Sequence, residues 1–177
     1  MTPFLEAAAV RLQPYGPEHD AQTVAWLNDE GIQRSFGLSR KITVASHRAW
    51  IVANTDIFIW AITGETGEHF GNILLQPVPS RRSAYLQIYL GNPAGRGKGV
   101  GWKALACVLD FAFGNLDLHR VWLHTLPDNK VAAALYEKAG FVREGMEREA
   151  LPRDGGFVDQ WRWSILSHEW KPGSAVT

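Results

Sequence analysis

Residues 92–101, Asn-Pro-Ala-Gly-Arg-Gly-Lys-Gly-Val-Gly, constrain this chain more than any other stretch. Glycines alternate there at positions 95, 97, 99 and 101, with Arg96 and Lys98 between them. The residues before the stretch, 84–90, read as a strand. After it, Leu105, Val108, Leu109 and Ala112 recur with a helical period through about Phe113. A further strand follows at 120–126, so residues 84–126 are expected to form one right-handed βαβ crossover. A glycine loop between a strand and a helix N-terminus can cradle an anion. The backbone can approach a ligand closely, and the first helical N–H groups lack acceptors. An ordinary tight turn is the plain alternative, but alternating glycines with two cations favour a phosphate group.

The elements around the loop exclude several architectures. A strand is expected at 8–13, a helix at 18–28 with Ala21, Val24 and Leu27 on one face, and a loop at 31–41. Thr43 is placed to cap a helix running to about Asn54. Runs at 57–63, 69–78 and 84–90, joined by short turns, read as an antiparallel meander. Asp128 is a candidate cap for a helix over 129–139, which Gly140-Phe141 would stop. Residues 141–149 and 158–166 form a closing strand pair across the turn 152–156. The expected fold is α/β of the α+β kind: one mixed, mostly antiparallel sheet of six to seven strands with about four helices. One domain is expected over residues 1–170, with a flexible tail over 171–177.

Composition narrows the function. Eighteen Lys and Arg balance eighteen Asp and Glu, so the chain lacks the positive surplus of a nucleic-acid binder. With 46% hydrophobic and 20% charged residues it is no disordered chain. A single cysteine, Cys107, precludes an internal disulfide and reads as a small buried hydrophobe on the helix after the loop. No apolar run approaches the ~20 residues of a membrane span, and the start has no basic leader, so a cytoplasmic location is expected. The six histidines stand in no H-E-x-x-H or C-x-x-C pattern, so no metal is expected. Eight tryptophans are unusually many. Trp60, Trp122, Trp161 and Trp163 fall on expected strands, Trp50 and Trp102 on helices, and Trp170 hints at a partner surface.

Three phosphate-binding templates compete for the loop. The Walker A pattern fails, because Gly99 follows Lys98 and Asn92 stands where the first glycine is needed. A loose dinucleotide fingerprint, Gly99-x-Gly101-x-x-Ala104, would suit a small oxidoreductase, but ninety residues and a meander precede it. The third template fits. Arg96, Gly99 and Gly101 match the [RQ]-x-x-G-x-[GA] loop, Pro93 matches its lead-in, and Asn129, Tyr136 and Gly140-Phe141 match N-x6-Y-x3-G-F. On these residues the chain resembles the GNAT superfamily of acetyl-CoA-dependent N-acetyltransferases over about residues 8–168. Residues 90–93 (LGNP) and 153–159 (RDGGFVD) look like the branch of ribosomal-protein N-terminal acetyltransferases, features that polyamine and amino-sugar acetyltransferases share.

The resemblance implies transfer of an acetyl group from acetyl-CoA to a primary amine, a protein N-terminus or a small molecule such as an amino sugar. It assigns the pyrophosphate to the backbone of Gly97, Lys98, Gly99, Val100, Gly101 and Trp102, with Arg96 beside it. Pantetheine would meet Leu90 and Gly91 at the strand end, and Asn129 would serve as a cofactor contact or as a helix cap. Tyr136 stands at the family position of the acid that protonates the leaving thiolate; a core aromatic is the alternative. The strand before the loop carries Gln87 and no acid, so His124 is the best titratable candidate for the base. Trp26, Phe36, Tyr85 and Gln87 are candidate acceptor-binding residues, each of which could instead serve the core. The absence of an acidic cluster disfavours polyamines. A monomer or homodimer is expected. A non-catalytic acyl-CoA-binding module is the alternative function.

Overall fold

The computed structural model describes residues 1–38, 40–153 and 155–173. Asp154, in the expected turn 152–156, and residues 174–177 of the expected tail lie outside them.

Strands β1 (Leu5–Ala7) and β2 (Val10–Pro14) form a tight hairpin rather than the single strand expected at 8–13. Ala8 turns the chain at φ 47°, a task that usually falls to Gly or Asn, so no sequence signal marks the turn. Helix α1 (Asp20–Leu27) follows, and α2 (Glu30–Phe36) occupies part of the region expected to be loop. Asp29 caps α2 by accepting a hydrogen bond from the Ile32 N–H at 3.2 Å. The helix holds only seven residues with a glycine inside, too short and too polar to show a period. Helix α3 (Val44–Ala53) begins where expected: Thr43 Oγ1 accepts from the Ser46 N–H at 3.1 Å, and Ser46 Oγ accepts from the Thr43 N–H at 3.0 Å.

The meander β3 (Phe58–Gly64), β4 (His69–Val78) and β5 (Ser83–Leu90) is antiparallel throughout. Helix α4 (Val100–Asp110), extended by a π-helical turn over Phe111–Asn115, crosses over to β6 (Arg120–Thr125). Helix α5 (Lys130–Lys138) leads into the long hairpin β7 (Val142–Arg153) and β8 (Gly156–Leu166). Asn129, not Asp128, caps α5: its Oδ1 accepts from the Ala132 N–H at 3.1 Å. At the other end Phe141 N–H bonds Tyr136 O and Gly140 N–H bonds Glu137 O, the paired closure that stops a helix.

The sheet order is β1-β2-β3-β4-β5-β6-β8-β7. Among the described residues there are thus eight strands and five α-helices, more than the six to seven and four expected. The additions are the hairpin split and α2. β5 and β6 form the one parallel pair of that sheet. This rules out the doubly wound parallel sheet that the dinucleotide fingerprint would need.

Strand β6 alternates half-buried and buried positions, so its two faces differ. Val121 and Leu123 join Leu105, Leu109, Leu86 and Ile165 in the main core under α4 and α5. Trp122 and His124 point to the other face, of which α1–α3 cover the β3–β5 portion. Trp170 is also buried. Its indole donates to Asp110 Oδ1 at 2.8 Å and its ring lies 6.3 Å from that of Trp102, so it supports α4 instead of offering a partner surface. Cys107 is buried as expected, and burial pushes its thiol up to about 11. Among the described residues no helix is long and apolar enough to cross a membrane.

Candidate active site

The glycine loop leaves β5 through Asn92, whose Oδ1 accepts from the Ala94 N–H at 2.9 Å and turns the chain. Gly97 and Gly99 adopt φ 72° and 74°, and a Cβ on either would meet nothing within 4 Å. Glycine is thus required there by backbone conformation, with open space in front of it. The first bond closing α4 is Lys103 N–H to Gly99 O, at 3.0 Å. The N–H groups of Val100, Gly101 and Trp102 therefore have no intrahelical acceptor. This row of donors at a positive helix end, in unobstructed space, fits a pyrophosphate. Lys98 is exposed beside it. The Val100 side chain is buried, so only its backbone faces the loop. Trp102 packs under Lys138, whose ammonium lies 4.7 Å from its ring centre.

Arg96 reaches back to the strand. Its guanidinium donates to Leu90 O at 3.2 and 3.0 Å and to Gly91 O at 3.4 Å. Those carbonyls need a partner because β5 and β6 pair only over Ser83–Tyr85 and Arg120–Trp122. Past Tyr85 the strands part, and the gap opens toward the α4 N-terminus. Gly91 is fixed by a neighbour: a Cβ there would fall 2.0 Å from the Trp26 ring.

Tyr136 projects from α5 toward β8, buried, with ring centres of Phe141 and Trp163 at 5.6 and 6.4 Å, and its phenol feels that of Tyr85, the last residue of β5 to pair with β6. Burial pushes its phenol far above the usual range, and the Tyr85 phenol adds to the effect. Tyr136 is therefore protonated throughout the neutral range. Asn129, on the same helix, spends its Oδ1 as the cap.

On the β6 side, His124 lies among Trp122 at 5.2 Å, Tyr85 at 5.8 Å and the carboxylate of Glu147. Nε2 is 3.0 Å from Glu147 Oε2 but makes no well-aligned hydrogen bond, so the contact is chiefly electrostatic. Burial lowers the His124 pKa, Glu147 opposes this, and Arg162 lowers it further, leaving a neutral ring at pH 7. Burial acts to raise Glu147, but the hydrogen bond from Gln160 and the charges of His124 and Arg162 outweigh it and hold it below the usual range. A carboxylate on Nε2 favours the proton there and leaves Nδ1 as the basic nitrogen.

A cavity of about 380 Å³ lies between α1–α3 and the β3–β5 face. Of the four candidate acceptor-binding residues, Phe36 and Gln87 line it. Tyr85 and Trp26 do not. Tyr85 faces Trp122 at 4.7 Å, while Trp26 is buried behind Gly91 with His69 at 4.6 Å. The tryptophan on the wall is Trp50, stacked on His47 at 6.2 Å.

Sequence reasoning missed the polar residues beneath the cavity. Tyr15 donates to Asp20 Oδ1 at 3.0 Å, and His47 Nε2 lies 3.2 Å from the Tyr15 oxygen. Asp20 is also bonded by Arg48 Nε. Asn72 donates to Thr23 Oγ1 at 2.9 Å and to the Tyr89 hydroxyl at 2.6 Å, and accepts from His69 Nε2 at 2.9 Å. These residues come from β2's exit, α1, α3, β4 and β5, and no local pattern links them.

Comparison with known proteins gives the family and the fold. The family model of the GNAT acetyltransferase domain matches residues 9–142. The spermidine N(1)-acetyltransferase of Vibrio cholerae is 37% identical over 89 residues, 50% of this chain and 51% of that protein. The ribosomal protein uS5 alanine N-acetyltransferase of Escherichia coli is 28% identical over 95 residues, 52% of this chain and 49% of that one. Each match thus spans about half the relative's length. The crystal structure of the Vibrio cholerae spermidine N-acetyltransferase with CoA and spermine superposes with a TM-score of 0.84 at 23% identity, over 91% of this chain and 97% of that one, and establishes the fold. By the family model, which matches most of its length, the chain belongs to the GNAT acetyltransferase family.

Proposed function

We propose that the protein is an N-acetyltransferase moving an acetyl group from acetyl-CoA to a primary amine by direct attack in a ternary complex. The observation carrying this reading is the gap between β5 and β6, set in front of the unpaired N–H groups of α4, with the phenol of Tyr136 in the field of Tyr85 where the strands part. Gly97 to Trp102 would hold the pyrophosphate through their backbone, with Lys98 adding charge. Leu90 and Gly91 would border the pantetheine arm, with Arg96 holding the strand end in shape. Acetyl-CoA supplies the activated thioester.

The remaining work falls to side chains. His124, steered by Glu147, takes the amine's proton directly or through a water, so that a neutral nitrogen attacks the thioester carbon. As the C–S bond breaks, Tyr136 gives its proton to the departing thiolate. Phe36 and Gln87 line the cavity that would receive the acceptor. A binding module without catalysis would account for the loop, but not for a protonated tyrosine and a carboxylate-paired histidine that both neighbour Tyr85.

Titration calorimetry with acetyl-CoA, CoA and NAD tests the first half of the reading. Binding of acetyl-CoA and CoA without NAD is expected; the reverse would overturn it. Release of free thiol in the presence of a primary amine tests the second half, and a protein that binds acetyl-CoA yet releases none with any amine is the module.

A further inference from the structure

The chemistry of the cavity walls selects the acceptor. Among the described residues that line it, none is Asp, Glu, Lys or Arg. Leu27, Phe36, Leu38, Ile42, Trp50 and Leu74 give it an apolar surface, and its volume of about 380 Å³ suits a small molecule. The carboxylate beneath it, Asp20, is already matched by Arg48 and by the Tyr15 hydroxyl. A polyamine would bring further ammonium groups with no counter-charge, and desolvating them unpaired is costly. A sugar would bring several hydroxyls. The polar groups that could receive them, Asn72, Thr23 and Tyr15, are bonded to one another, to Tyr89 and to Asp20.

Three capacities remain. Tyr89 accepts from Asn72, so its own O–H is free to donate. The Gln87 side chain has no hydrogen bond among the described residues. Asp20 can only accept, so Tyr15's proton goes to it and His47 Nε2 must donate to Tyr15, which leaves the His47 Nδ1 lone pair open. That set serves one small polar end and an otherwise apolar body. An apolar wall also disfavours the ammonium form, which helps deliver the neutral amine that attack requires.

We infer that the acceptor is a primary amine borne on an apolar, aryl-sized group, carrying a single charge, with its ring seated among Phe36, Trp50 and Leu38. The inference rests on the acetyl-transfer reading and names the substrate class of that same site.

The test compares kcat/KM, read as free thiol at saturating acetyl-CoA, for 2-phenylethylamine, spermidine, glucosamine and a short peptide beginning with alanine. Phenylethylamine is expected to lead by about 100-fold, the scale on which a pocket discriminates a fitting apolar group from unpaired polar ones. Two variants sharpen the result. Phe36→Ala should raise KM for phenylethylamine about tenfold, since it removes wall area worth one or two buried groups, with acetyl-CoA affinity unchanged as the check on folding. Leu38→Glu puts a carboxylate on the wall and should lower phenylethylamine turnover while raising that of spermidine. A wild-type preference for spermidine, glucosamine or the peptide overturns the acceptor class and leaves acetyl transfer standing. Acetyl-CoA binding with no turnover of any of the four overturns both. Failure to bind acetyl-CoA at all overturns the transfer reading at its first step.

Discussion

Tyr136 carries the sharpest expectation at the scale of single residues. It is buried, kept protonated by that burial, and influenced by Tyr85, the last residue of β5 to pair with β6. Replacement by phenylalanine keeps the ring packed on Phe141 and Trp163 and removes only the proton donor. Steady-state kinetics should show kcat lowered by about 10²–10⁴-fold, the span typical of a lost general acid, with acetyl-CoA affinity by calorimetry near wild type. His124 gives a matching expectation in pH. Only its neutral form accepts a proton, and its pKa lies below the ordinary 6.5. The acid limb of kcat/KM should therefore fall below that value, activity being lost as pH drops through it. His124→Gln should lower the plateau and abolish that limb. The glycines and Tyr136 stood out as candidates in the sequence because a close backbone approach and a fixed helical offset each leave a local pattern. Tyr15, His47, Asn72 and Tyr89 could not, because they meet only across four separate elements.

Elements were legible in proportion to their length and to the chemistry of their ends. Helix α3 announced itself through Thr43, whose capping box with Ser46 is a local signal. The short α2 did not, although it delivers Phe36 to the cavity. The β7–β8 hairpin shows a different dependence on context. Glu144 on β7 accepts from both terminal nitrogens of Arg120, at 2.5 and 2.7 Å, and from Ser164 Oγ at 2.8 Å, tying β7 across β8 to β6. The Arg120 hydrogen bonds, with those of Ser164 and the neighbouring charges, outweigh burial and draw the Glu144 carboxyl down to about 2. A depressed carboxylate stabilises the fold above its unfolded value, near ~4.3, and loses that contribution as pH falls toward 2. With its side chain 36% exposed, solvent screening limits the effect to about 1 kcal/mol or less. Denaturant unfolding of Glu144→Gln should therefore show a stability deficit at pH 7 that shrinks by pH 3.

At the scale of the whole molecule, ligand binding and folding are coupled, because the loop, the β5 end and α5 belong to one sheet-and-helix framework. Acetyl-CoA at about 100 times its dissociation constant adds roughly 2.7 kcal/mol by mass action. For a chain of this size that corresponds to a rise in Tm of about 5–10 °C. A thermal melt with and without acetyl-CoA reads it directly, and NAD at the same concentration should leave Tm where it was.

The sequence by itself determined the βαβ crossover, the meander before it, the glycine loop and the family. Each depends on neighbours in the chain: period, turn residues, caps and backbone freedom. The same reading left open which aromatics were core and which were wall. Only the tertiary structure sent Trp26 behind Gly91, Trp50 to the cavity, Trp170 against Asp110 and Tyr85 toward His124. An aromatic side chain packs equally well on either face of a sheet. Its place is set by what the opposing element presents, and that comes from residues far away in the chain.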